Sequence, residues 1–187
     1  MTSFSSGRGF RHQAGTSLLE VLVAILLLSF GMLALGVMLS FSVQMPKLSG
    51  YRVTATNAAS SHIERIRANP GAFGRDEYSL ALSYDGTTGG VELANCSYPS
   101  CTEASLATMD NAATKNSVRA QLPAGGILVT CDTTPCSNSS YGNLWIVWQE
   151  PATRGTLNPS VSDNCPGAVT SRYVDPKPRC LYVRFRT

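Results

Sequence analysis

The constraint that governs this chain is an apolar run that opens on a carboxylate. From Val21 to Leu39 there are about 19 residues without a charge, and the next charged residue after Glu20 is Lys47. At about 1.5 Å per residue the run makes roughly 28 Å of helix, enough to cross the hydrocarbon core of a bilayer. An ionised side chain at the mouth of a membrane segment costs a few kcal/mol even on lenient insertion scales, so such residues are functional candidates by default. The plain alternative is a wet helix-start residue favoured by the macrodipole.

What precedes the run narrows the choice. Residues 1–15 are polar, contain Arg8 and Arg11, and end in Gly15. A secretory signal would carry 7–15 apolar residues and then a small-x-small cleavage site. Here the apolar run is longer, and Ala34-Leu35-Gly36 lies inside it. The consistent processing point is after Gly15, which keeps the helix in the mature chain and creates a positive amine on Thr16. In a water-excluding bundle an unpaired carboxylate at Glu20 would be strongly penalised. The Thr16 amine of a neighbouring chain can pair with it, and so can that of the same chain, because Thr16 and Glu20 are i and i+4.

The rest of the chain bounds one further domain. About 140 residues remain outside the apolar run, enough for a single core. Setting aside Arg8 and Arg11 lowers the formal net charge from +3 to about +1, which makes no electrostatic case for nucleic acid. The C-terminal Lys177, Arg179, Arg184 and Arg186 read as a solvated edge on an alternating strand. All six cysteines, Cys96, Cys101, Cys131, Cys136, Cys165 and Cys180, follow the membrane run. An even number in a polar segment behind a membrane signal points to disulfides and an oxidising compartment. Six cysteines allow 15 pairings; the local set 96–101, 131–136 and 165–180 is expected, because each closes a short polar segment. A zinc site from the two C-x4-C pairs is the rival, but no histidine lies near either pair. No metal or other cofactor is expected.

Along the chain, the helix is expected to continue past Leu39, with a kink or break at Pro46. Leu48, Tyr51, Ala55, Ala59, His62 or Ile63, and Ile66 recur at spacings of 3 and 4, one face of an amphipathic helix, which Asn69-Pro70-Gly71 ends. Strands are expected at Glu77–Tyr84, Ile127–Cys131, Leu144–Trp148 and Leu181–Arg186, with a short helix within 103–122. Trp145 and Trp148 should face opposite sides of their strand, one in the core and the other either at a subunit contact or covered by a loop. Three or four antiparallel strands packed on the amphipathic half-helix give an α+β fold. No catalytic pattern such as G-x-S-x-G or H-E-x-x-H occurs. Gly86–Gly90 opens no helix and is a weak phosphate cradle, and His62 reads as a helix-face residue.

Taken together, the basic leader, Gly15, Thr16-Ser17-Leu18-Leu19-Glu20 and the long apolar run resemble the class III signal of type IV prepilins. Most members have phenylalanine, not threonine, at the first mature position. The resemblance is strong over about residues 8–45 and extends to the remainder in layout. The disulfide-rich domain and the Gly15–Ala24 segment look most like minor pilins of the PilV kind, the type IV pilus modification proteins.

That resemblance implies a leader at 1–15, a transmembrane and assembly helix at 16–45, an amphipathic helix half at 46–69, and a disulfide-rich periplasmic head at 70–187. It implies Gly15 as the cleavage residue, Thr16 as the N-methylated residue, and Glu20 as the residue that sets subunit register. The implied role is a non-catalytic subunit that primes pilus assembly, joins the tip complex, and supports motility and adhesion. Implied partners are prepilin peptidase, other minor pilins and the major pilin through the N-terminal helices, and a tip adhesin. The implied location is the inner membrane, single-pass with a periplasmic head, and then the pilus at the cell surface. The alternatives are a minor pseudopilin of a type II secretion system, and a membrane-anchored periplasmic binding domain that does not assemble.

Overall fold

The computed structural model describes residues 17–81, 84–87, 89–93, 95–97, 99–150, 163–173 and 177–187. Two compact units result, residues 1–45 and 46–187. Helix α1, Leu18–Ala68, enters both and runs through Pro46 rather than stopping there; the boundary between the units falls at that proline. A proline inside a helix removes one backbone donor and crowds the preceding turn, and here the helical assignment persists on both sides. Glu20 stands in the first turn and Arg65 and Arg67 in the last, the arrangement that complements the helix dipole.

In the unit of residues 46–187, α1 buries Ala55, Ala59, His62, Ile63 and Ile66, while Arg52, Glu64, Arg65 and Arg67 stay exposed. Both His62 and Ile63 are on the buried side. After Asn69 a short helix α2, Pro70–Gly74, buries Ala72 and Phe73. Helix α3, Glu103–Gln121, starts at a reciprocal cap: Thr102 Oγ1 accepts from the Ser105 amide at 3.1 Å, and Ser105 Oγ accepts from the Thr102 amide at 2.8 Å. Its buried residues Ala107, Asn111, Thr114 and Val118 follow the same 3–4 spacing as those of α1.

The sheet is antiparallel, ordered β1 (Gly126–Cys131), β2 (Gly142–Gln149), β3 (Pro178–Phe185). Ile127 opposes Ile146, and Trp145 opposes Leu128 on one side and Tyr182 on the other. One face, with Ile127, Val129, Leu144, Ile146, Trp148 and Phe185, packs into the main core with α1, α2 and α3. The other face, with Leu128, Val147 and Cys180, is covered by Tyr84 and by Val169 of the one-turn helix α4, Gly167–Thr170. Gly126 is required by this cover, because the Tyr84 ring lies where its Cβ would be.

The expected strand at Glu77–Tyr84 is not formed over its described residues, 77–81 and 84. Asp76 turns the chain with φ 66°, and only the Leu80 amide reaches the sheet, donating to the Val129 carbonyl at 2.8 Å. The apolar alternation there serves two cores instead of one ladder: Tyr78 is buried in the main core and Tyr84 in the second. The sequence 103–122 holds a helix of 19 residues, longer than expected. The two tryptophans do face opposite ways. Trp148 is fully buried. Trp145 lies on the second face, with Nε1 donating to the Asn164 carbonyl at 3.3 Å.

Candidate functional site

Two places carry chemistry: the N-terminal apolar segment, and a polar network inside the head. Gly15 and Thr16 lie outside the described residues. From Leu18 to Met45, 19 large apolar side chains are exposed and Glu20 is the sole charge. Fully burying such side chains is worth about 1.5–3 kcal/mol each, so this surface forgoes on the order of 30 kcal/mol in water. The segment is long and apolar enough to cross a membrane by length and composition. Ser29 returns its hydroxyl to the Ile25 carbonyl at 2.8 Å, which hides a polar group from apolar surroundings. A shallow apolar groove runs along Leu22, Ile25, Leu26, Ser29, Phe30 and Leu33. Glu20 is exposed, and its amide donates to the Ser17 carbonyl at 2.9 Å.

The cysteines form three short-range bridges, Cys96–Cys101, Cys131–Cys136 and Cys165–Cys180, with Cα–Cα separations of 5.2, 5.4 and 5.2 Å. Asp76 lies with Cys131 and Cys136 so that their ligand atoms are within 4.8 Å of one another. Zinc binding needs thiolates, and both sulfurs here are spent in the disulfide. The set does not fit a metal in this oxidation state.

The polar network joins α1 to α3. His62 is fully buried, its Nδ1 is 2.8 Å from Thr114 Oγ1, and its ring meets Tyr78 edge-on at 6.0 Å. Nε2 has no hydrogen-bond partner among the described residues. Burial holds the imidazole down at about 4, with Asp110 pulling it up and Arg65 adding to the lowering. Asp110 accepts from Arg65 at 3.0 Å and from the Tyr78 hydroxyl at 2.8 Å. Burial and that bond push the Tyr78 phenol well above its ordinary value. Asn69 Nδ2 donates to the Glu103 carbonyl at 2.8 Å. His62 is thus committed to Thr114 and shut off from solvent; the arrangement holds two helices together. Sequence reasoning left His62 and Ile63 as alternatives. The recurrence of Asn111 and Thr114 on the apolar face of α3 is the signal that a polar partner awaited one of them.

A second network anchors the Cys165–Cys180 loop. Arg52 on α1 meets Asp163 at 3.0 Å, Asp163 meets Arg179 at 3.1 Å, and Arg179 meets Glu150 at 3.3 Å. Glu150 also accepts from Trp148 Nε1 at 3.4 Å. Arg179 is therefore no solvated edge residue: it starts β3 between two carboxylates and is largely covered, in contrast to the expectation for the C-terminal cations. Elsewhere Arg119, nearly buried, grips Asp85 with two contacts of 2.7 Å and the Gly89 carbonyl at 2.7 Å. Burial pushes the Asp85 carboxyl up, but bonds from Thr87 and Arg119 outweigh it and hold it down at about 2. The Gly86–Gly90 stretch is thus pinned to α3 by its flanks. Compared with known proteins, the chain matches no family model, no curated protein and no solved structure.

Proposed function

We propose that this chain is a minor pilin: a non-catalytic subunit inserted in the inner membrane and then drawn into a type IV pilus, where it helps prime the filament and joins its tip complex. The observation that carries this reading is the pairing of one carboxylate, Glu20, with an otherwise uncharged surface of 19 exposed apolar side chains from Leu18 to Met45. In a plain membrane anchor a carboxylate at that place gains only the small helix-dipole term, typically about 0.3–1 kcal/mol. A subunit that moves from lipid into a helix bundle gains a register mark, because only one alignment brings Glu20 to the Thr16 amine of a neighbour and neutralises both.

On this reading prepilin peptidase cuts after Gly15 and methylates Thr16, and the partners are other minor pilins, the major pilin and a tip adhesin. The α+β head with its long N-terminal helix is the architecture such a subunit needs, and three disulfides suit a head that works outside the cytoplasm. The test is assembly itself. Glu20→Ala should abolish co-purification with the other pilins while the head keeps its circular dichroism and disulfides. Undiminished co-purification of Glu20→Ala would overturn the reading in favour of an anchored domain.

A further inference from the structure

The second face of the sheet is only half covered. The period of two places Asn143, Trp145 and Val147 of β2 on that face, opposite Arg184, Tyr182 and Cys180 of β3. Val147 and Cys180 lie under Val169 and Tyr84. Beyond them the cover ends among the described residues: Trp145, Asn143 and Tyr182 are half-buried, and Tyr141, Arg184 and Arg186 are exposed. From Trp145 to Tyr141 this strip runs about 14 Å along the strand.

Its groups are ordered by chemistry. Trp145 and Tyr182 pack against each other with ring centres 5.1 Å apart. The Tyr182 hydroxyl donates to Asn143 Oδ1 at 2.7 Å, which fixes the amide and, among the described residues, leaves its NH2 as a free donor. The guanidiniums of Arg184 and Arg186 converge on the Tyr141 ring, at 4.2 and 5.6 Å from its centre. One carboxylate, Asp132, answers Arg184 from 3.5 Å. Arg186 has no carboxylate within reach among the described residues. The strip therefore holds two cations against one anion, beside an aromatic pair and a fixed amide.

We propose that this open half of the sheet face binds an acidic oligosaccharide. The C–H face of a pyranose lies on the exposed part of the Trp145–Tyr182 pair, the Asn143 amide meets a ring hydroxyl, and a sugar carboxylate bridges Arg186 and Arg184. Aromatic residues with a polar tip suit a ligand that is apolar on one side and wet on the other, and the planar guanidinium fits a carboxylate fork. The surplus cation supplies the charge complementarity that selects an acidic sugar. A nucleic acid would call for more cations than two, spread along a phosphate track. This inference goes beyond the proposed function and needs no assembly, so it stands or falls separately from it.

The test uses the full chain in detergent micelles and calorimetric titration with a galacturonic acid trisaccharide, its methyl ester, and a ten-residue thymidine oligonucleotide. The acid should bind saturably and at least tenfold more tightly than the ester or the oligonucleotide. Arg186→Gln, on an exposed side chain that leaves the thermal midpoint unchanged, should weaken the acid about tenfold, and Trp145→Ala should weaken acid and ester alike. Four results would each overturn the proposal: no saturation, equal affinity for acid and ester, tighter binding of the oligonucleotide, or an Arg186→Gln variant that binds like the parent. Self-association that Arg186→Gln dissolves would also overturn it, assigning the strip to a second copy of the chain.

Discussion

Acid should loosen the head through His62. The imidazole is fully buried, bonded at Nδ1 and, among the described residues, unpartnered at Nε2, and held at about 4 against an ordinary value of 6.5. The groups facing it are Tyr78 and Thr114, with Asp110 favouring the charged form and Arg65 opposing it. Because the folded value is depressed, folding favours the neutral ring. The stability this confers is complete above pH 6.5, falls as pH drops through the window from 6.5 to 4, and is gone below 4. The gap between 6.5 and about 4 is worth about 3 kcal/mol in full, most of it lost between pH 8 and pH 4.5. That is a large share of the 5–15 kcal/mol typical of a domain. Urea unfolding followed by the fluorescence of buried Trp148 at half-unit pH steps measures it. The expected slope peaks at about 1 kcal/mol per pH unit near pH 5. Asp85, held near 2, adds its own loss only below about 3.8, outside this window. His62→Gln should flatten the profile between pH 6.5 and 4.5 whatever it does to stability at neutral pH. A flat profile in the parent chain, or an unchanged slope in His62→Gln, would refute the reasoning.

Three further outcomes follow from the packing. Glu150→Ala strips the largely covered Arg179 of one of its two carboxylates and leaves the Trp148 indole without its Glu150 acceptor; it should cost about 3 kcal/mol in chemical denaturation. Replacing Cys165 and Cys180 together by serine opens a bridge of sequence separation 15 and should cost about 3 kcal/mol, with the amides of residues 163–173 losing protection from hydrogen exchange first. Thr102→Ala removes the cap of α3 and should cost about 1 kcal/mol in the same denaturation assay.

Elements with one dominant signal were legible in the sequence. The 3–4 recurrence from Tyr51 to Ile66 marks the face of α1 that the head buries, and the runs around Val129, Ile146 and Val183 are the three strands. The three bridges are the shortest-range set that the spacing offers. What failed did so where local pattern and tertiary use diverge. Glu77–Tyr84 alternates as a strand does, yet its tyrosines enter cores on opposite sides of the sheet, which no single ladder permits. Arg179 looks like any cation on an edge strand; the carboxylates that cover it, Glu150 and Asp163, come from other parts of the chain. The His62 network needed the pairing of two helices about 50 residues apart in sequence; the polar Asn111 and Thr114 on the apolar face of α3 mark that a partner exists, but periodicity within either helix does not say which residue it is. At the N-terminus the reverse holds: Gly15, Thr16 and Glu20 stand out in the sequence, and the pairing we propose for Glu20 calls for a second chain.

The central claim, that this chain is a processed assembly subunit, meets its most direct test in the intact mass of the protein recovered from membranes of a cell that carries prepilin peptidase. The account predicts loss of residues 1–15 and the addition of one methyl group on Thr16, both absent when the peptidase is deleted. A chain that keeps its first 15 residues, or one cut elsewhere than after Gly15, would contradict it.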